Sequence, residues 1–173
     1  MADEVRIRRL TLGSEPELEG LSEVLIDCVE GGASVSFMPP LTRARALAFW
    51  RGVCTSAAVR ERVLLVAEDA SGRIIGTVQL ILALPENQPH RGEIAKLLVQ
   101  RRARRRGVGA ALLAAAEQAA REAGRTLLVL DTASGDAERL YARRGWQRCG
   151  EIPGYALWPD GRPCATTIYF KSL

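Results

Sequence analysis

A chain of 173 residues, 47% apolar and 25% charged, is long enough for one compact domain with a full core, and its composition is that of a globular protein, so residues 1–173 are read as a single domain. No apolar run nears the roughly 18–20 residues of a membrane helix, and Met1-Ala2-Asp3-Glu4 carries two acids where a secretory leader is basic and then apolar; a cytoplasmic protein with no membrane partner is expected. The net charge of +4 is local, five of the six residues from Arg101 to Arg106 being arginine, and no aromatic side chains are interleaved there to stack bases, which argues against a nucleic-acid partner.

In chain order, Val5 to Leu10 alternates apolar and basic residues, the period of a half-buried strand. Ser14-Glu15-Pro16-Glu17 reads as a capping box, starting a helix that runs to Glu30 and stops at Gly31-Gly32. A loop from Ala33 to Pro40 follows, and Thr42 opens a second helix through about Cys54. Val63–Glu68 and Ile74–Leu84 are strands joined by the turn-forming Asp69–Arg73. Glu93–Val99 is mostly apolar, as for a strand buried on both faces. Gly107–Ala123 is a helix with Leu112, Ala116, Ala119 and Ala123 on one face. Thr126–Asp131 is a strand and Asp136–Arg144 a short helix, and two strands flank Pro159–Pro163. The order predicts an α/β (α+β) fold: a mixed, mostly antiparallel sheet of six to seven strands, about four helices, and a strand–helix–strand unit at the centre.

Most metal and triad chemistry is excluded early. Cys28, Cys54, Cys149 and Cys164 show no metal-knuckle spacing and read as reduced core residues, and His90 is the only histidine, so no metal is expected. The central unit carries the informative motif. Between Leu97-Leu98-Val99 and the helix lies Arg104-Arg105-Arg106-Gly107-Val108-Gly109-Ala110, an R-x-x-G-x-G-A turn. Free backbone N–H groups at a helix N-terminus bind a pyrophosphate, glycine lets the backbone approach it, and arginines pair with a further phosphate. Neither the G-x-G-x-x-G dinucleotide fingerprint nor the P-loop lysine is present.

With Ala137-Glu138-Arg139-Leu140-Tyr141-Ala142-Arg143-Arg144-Gly145-Trp146 downstream, the chain resembles the GNAT N-acetyltransferases over nearly its whole length, and the tabtoxin-resistance branch in particular through Gly31–Val35, Leu130-Asp131-Thr132, Gly154-Tyr155 and Pro159–Arg162. The resemblance implies the GNAT fold, acetyl-CoA as co-substrate, and an amine acceptor: a small molecule, amino-acid-like in the tabtoxin branch, as in antibiotic resistance. A protein lysine or N-terminal amine, and a non-catalytic acetyl-CoA sensor, are the alternatives. A monomer or homodimer is expected. Ser134 stands where the family often has asparagine seven residues before the motif tyrosine, and its hydroxyl keeps one polar contact to the coenzyme.

Acetyl transfer from a thioester needs a neutral amine, stabilisation of an oxyanion, and a proton for the thiolate. An alkylamine, pKa about 10.4, is mostly charged at neutral pH, so a carboxylate base or relay helps. Glu93 and Asp131, on neighbouring strands that splay apart in the family, are the candidates. The resemblance implies that backbone N–H groups near Leu98 and Val99 meet the thioester carbonyl and that Tyr141 is the general acid. Arg104, Arg105, Arg106, Gly107, Val108, Gly109, Ala110, Ser134 and Tyr141 complete the implied coenzyme site.

Overall fold

The computed structural model describes residues 5–173; Met1–Glu4, read above as no secretory leader, lie outside them. Strand β1 (Arg6–Leu10) leads to helix α1 (Glu15–Glu30), where Glu17 Oε2 accepts the Ser14 backbone N–H at 2.8 Å, one half of the expected capping box. Helix α2 (Arg43–Ala58) starts at Thr42, whose hydroxyl oxygen accepts the Arg45 N–H. It runs four residues beyond Cys54, because Ala57 extends the buried face of Ala46, Trp50, Val53 and Cys54, and the left-handed turn comes only at Arg60, φ 62°.

Strands β2 (Arg62–Glu68), β3 (Ile74–Ile81), β4 (Arg91–Val99) and β5 (Leu127–Thr132) follow, with helix α3 (Val108–Glu122) between β4 and β5. Helix α4 (Gly135–Arg143) and strands β6 (Gln147–Leu157) and β7 (Pro163–Ser172) complete the chain. The seven strands form one sheet in the order β1-β2-β3-β4-β5-β7-β6, antiparallel except for the β4–β5 pair bridged by α3. Strand β3 ends three residues before the expected Leu84, since the N–H groups of Leu82 and Ala83 turn to the Glu61 carbonyl.

Each face of the sheet carries a core. Helix α3 lays Val108, Leu112, Leu113, Ala116, Ala119 and Ala120 on one face, with Tyr141, Trp146 and Tyr169 at its edge. Ala123, expected on that face, is the exposed C-cap. Helices α1 and α2 cover the other face through Leu21, Val24, Leu25, Trp50 and Val53, packed on Leu64, Val66 and Leu98.

The β4–β5 pairing spans only Arg91↔Leu127, Gly92↔Leu128 and Glu93↔Val129, and beyond Glu93 the two strands part. On its other side β4 shifts register against β3 between Thr77 and Gln79, opposite Lys96 at φ 50°. This is a bulge, and bulges bend the strand that holds them. Strand β4 is therefore not buried on both faces as its apolar sequence suggests. It alternates buried and half-buried residues, because its second half borders a cleft.

Candidate active site

The cleft opened by the parting of β4 and β5 has a volume of about 1220 Å³. Its floor is Glu93–Val99 of β4 and Val129–Thr132 of β5, and its walls are the loop Gly31–Met38 on one side and β6 with Tyr155 and Trp158 on the other. The Ser34 hydroxyl donates to the Leu157 carbonyl at 2.8 Å and so ties the two walls together.

Among the sequence candidates, Glu93, Leu98, Val99, Arg104, Asp131, Ser134 and Tyr141 line this one cleft. Arg105, Arg106, Gly107, Val108, Gly109 and Ala110 lie just past its rim, in the turn and first turn of α3. Gly107 is the N-cap at φ 80°, in the left-handed region that favours glycine, and Arg105 at φ 61° makes the preceding twist. The first intrahelical bond there runs from the Ala111 N–H to the Gly107 carbonyl, so the N–H groups of Val108, Gly109 and Ala110 have no helical acceptor. Such N–H groups at the positive end of a helix are of the kind that suits an anion. The Val108 side chain faces the core, 2% exposed, so only its amide is available. A Cβ on Gly109 would touch Leu140 Cδ2 at 3.5 Å, which brings α4 against the same turn.

The arginine cluster divides. Arg101 pairs with Asp27 of α1 at 2.9 Å, Arg102 lies 3.7 Å from Asp69 of the β2–β3 turn, and Arg104 Nε donates to the Val99 carbonyl at 3.1 Å. The first two brace neighbouring elements, and Arg104 lines the cleft between β4 and the α3 turn.

Both acids have partners that fix them. Asp131 Oδ2 accepts the Thr166 hydroxyl at 2.8 Å, and Arg91 Nη1 donates to Glu93 Oε1 at 2.6 Å. Asp131 does not cap the turn after β5: Thr132 Oγ1 accepts the Ser134 N–H, and Ser134 Oγ accepts the Ala137 N–H as the N-cap of α4. The Ser134 oxygen is thus engaged by the helix, and its hydroxyl proton is not used in that contact.

Tyr141 is 4% exposed, its ring held between Trp146 and Tyr169 at centroid distances of 5.8 and 5.7 Å. Burial, and secondarily the charge of Asp131, push its phenol well above the ordinary tyrosine range, so it stays protonated. Glu138 anchors α4 by accepting the hydroxyls of Thr167 at 3.0 Å and Tyr169 at 3.2 Å.

Three cleft residues were not singled out from sequence: Thr166, Ser36 and Lys96. Lys96 had a visible signal, a lone charge inside the apolar run Ile94-Ala95-Lys96-Leu97-Leu98-Val99. Thr166 and Ser36 had none, since their roles depend on contacts with residues 35 and 60 positions away.

The architecture is that of known acetyltransferases. A ribosomal-protein-alanine N-acetyltransferase from Brucella melitensis superposes with a TM-score of 0.81 at 24% identity, over 97% of this chain and 99% of that one. A GNAT superfamily phosphinothricin acetyltransferase from Sinorhizobium meliloti, solved in complex with AcCoA, superposes with a TM-score of 0.79 at 18% identity, over 100% of this chain and 89% of that one. In sequence, the chain is 29% identical over 151 residues to an uncharacterized N-acetyltransferase encoded in a hisH-hisA intergenic region of Azospirillum brasilense, covering 86% of this chain and 84% of that protein. The model of the acetyltransferase (GNAT) family matches residues 33–146, which contain the β4–α3 turn, both acids and the α4 tyrosine, and the chain belongs to that family as an acetyl-CoA-dependent N-acetyltransferase.

Proposed function

We propose that the acceptor is the amine of a small, amino-acid-like molecule, with Asp131 and Glu93 managing the amine proton and Tyr141 serving the leaving thiolate. The observation that carries this reading is the convergence of Glu93, Asp131 and Tyr141 on one cleft at the point where β4 and β5 part. The loop and β6 wall that cleft from both sides, which favours a small acceptor over a folded protein surface. The tabtoxin-resistance resemblance and the phosphinothricin acetyltransferase relative point to the same acceptor class, as in self-protection against an amino-acid-like antibiotic.

Acetyl-CoA supplies the acetyl thioester. The free amides of Val108, Gly109 and Ala110 fit its pyrophosphate, with Arg104, Arg105 and Arg106 at the same turn for a further phosphate, and Ser134 beside the groove offers a hydroxyl. The backbone of Leu98 and Val99 lies on the stretch of β4 no longer paired with β5, where an N–H group can meet the thioester carbonyl. Asp131, held by Thr166 and exposed to the groove, draws in the ammonium form of the acceptor and takes its proton; Glu93, one strand away, gives a second site for it. Tyr141, which burial keeps protonated, lines the same cleft and is assigned as the proton donor to the leaving sulfur.

The test is an acceptor screen with acetyl-CoA, reading released thiol, over amino-acid-like amines and peptides with free N-termini or lysines. Small amines are expected to turn over at least tenfold faster than peptides, and Asp131→Asn and Glu93→Gln to lower kcat with little effect on acetyl-CoA affinity. Faster peptide acetylation would replace this reading with a protein acetyltransferase. Full activity of both variants from pH 6 to 9 would remove the acids from the mechanism.

A further inference from the structure

Only two of the 24 Lys and Arg residues are lysines, Lys96 and Lys171. Lys171 shows what the interior of this protein demands of an ammonium: its Nζ donates to Glu117 Oε2 at 2.8 Å and to the Arg144 carbonyl at 2.8 Å. Lys96 has no such provision. Among the described residues its one hydrogen-bond partner is the neutral hydroxyl of Ser36, 3.0 Å away, with no carboxylate oxygen within ion-pair distance. A half-buried ammonium without a counter-ion is unfavourable unless an anion arrives to pair with it.

Its position says where that anion comes from. Lys96 lies three residues beyond Glu93, past the last β4–β5 rung, and lines the acceptor cleft with Glu93 and Asp131. It occupies the bulge of β4 at φ 50°, a backbone conformation that L side chains rarely adopt, and Ser36 opposite has φ 75°. A groove shaped only for a cation would not carry an ammonium in the same lining as its two acids. The phosphate-binding turn begins eight residues later, at Arg104, so the coenzyme phosphates are served elsewhere. The charges around Lys96 are consistent: burial pulls its pKa down, Asp131 pulls it back up, and Arg62 presses it down again.

We propose that Lys96 is the anion anchor of the acceptor groove, pairing with a carboxylate on the acceptor while Asp131 and Glu93 hold the amine. This rests on the small-amine reading above and deepens it. The acceptor class is then a zwitterion, with its carboxylate near the nitrogen to be acetylated, and Lys96 is the residue that separates it from simple amines. The Ser36 hydroxyl holds the ammonium in place until the carboxylate binds.

Two measurements test this. In the first, L-methionine, L-glutamine and L-lysine are each compared with their primary amides, which keep the amine and lose the negative charge. The acids are expected to have the higher kcat/KM. Lys96→Met is expected to lower that value at least tenfold more for acids than for amides, while Ser36→Ala retains the preference. Equal losses for acid and amide, a preference for amides, or a Lys96→Met loss traced wholly to weaker acetyl-CoA binding would overturn the proposal. The second needs no turnover. With ¹³Cε-lysine the protein gives two signals, assigned by the Lys96→Met variant, and the CoA complex is titrated with acetate, L-alanine and L-alaninamide. The Lys96 signal is expected to shift with the two carboxylates and not with the amide; no shift with either carboxylate refutes the anchor. A protein that acetylates none of the small amines yet shows that shift would instead count against the small-amine reading alone.

Discussion

Tyr141 is the residue at which packing and chemistry are hardest to separate, because the burial that packs its ring also sets its acidity. Its ring fills space between Trp146 and Tyr169, and the burial that keeps its phenol protonated also makes it a weaker acid toward the thiolate it is proposed to serve. Tyr141→Phe keeps the ring and removes the donor, so kcat is expected to fall by about 10²–10⁴-fold, the span of a positioned acid, with a melt at neutral pH close to wild type. Normal rates would reduce the tyrosine to a packing residue. An alkaline melt supplies an independent reading. The phenol's folded pKa lies above its unfolded value of about 10, so its contribution to stability is complete below that pH and is lost as pH rises toward the folded value. Wild type is expected to lose Tm more steeply above pH 10 than Tyr141→Phe. Parallel curves would mean the phenol is not shielded from water.

The elements to which the proposed chemistry is assigned are β4, the turn into α3, and α4. The turn and α4 were legible in the sequence because their signals are local: Gly107 and Gly109 within one turn, and Leu140-Tyr141 beside Gly145-Trp146. The succession of elements along the chain and the central β4–α3–β5 unit followed for the same reason, since apolar runs and turn residues mark each boundary. The parting of β4 from β5 was implied by the family resemblance alone; no residue of the two strands announces it. It accompanies a bulge at Lys96, where a lysine adopts a left-handed conformation with no glycine to announce it. For the same reason the apolar sequence of β4 read as a strand buried on both faces, and Lys96 was passed over. The tie between the cleft walls was equally hidden, since Ser34 meets Leu157 across 123 residues. At the α3 turn, Gly109 gives a graded test. A methyl group meets Leu140 Cδ2 at an ordinary 3.5 Å, so Gly109→Ala is expected to fold normally and bind acetyl-CoA measurably more weakly. The branched side chain of Gly109→Ile occupies the approach to the free amides, and binding by calorimetry is expected to vanish. Unchanged affinity in a folded Gly109→Ile protein would detach the coenzyme from this turn.

On the scale of the whole molecule, one continuous sheet is paired on both flanks and parted in the middle. One flank, β1–β2–β3–β4, is clamped between α3 and the α1–α2 pair, and the other, β5–β7–β6, is joined to it by three parallel rungs and by contacts of α3 and α4. Charged ties cross the gap on the α3 side, where Glu117 of α3 accepts from Trp146 at 2.9 Å and Lys171 of β7 at 2.8 Å. A ligand that lies along the cleft and contacts the α3 turn, β4, Ser134 and Tyr141 spans both flanks, so it stabilises the folded state as a whole. For one site, that stabilisation is RT ln(1 + [L]/Kd), or about 2.7 kcal/mol at a hundredfold excess over Kd. In a chain of this size roughly 2–4 °C of Tm accompanies each kcal/mol. Acetyl-CoA at that excess is therefore expected to raise Tm by roughly 5–10 °C, with a shift that grows logarithmically with concentration. Desulfo-CoA, which keeps the phosphates, should retain most of the shift, and pantetheine, which lacks them, should lose it. Equal shifts with pantetheine would place the binding energy in the cleft rather than at the helix end. No shift with acetyl-CoA would contradict a coenzyme site spanning the two flanks.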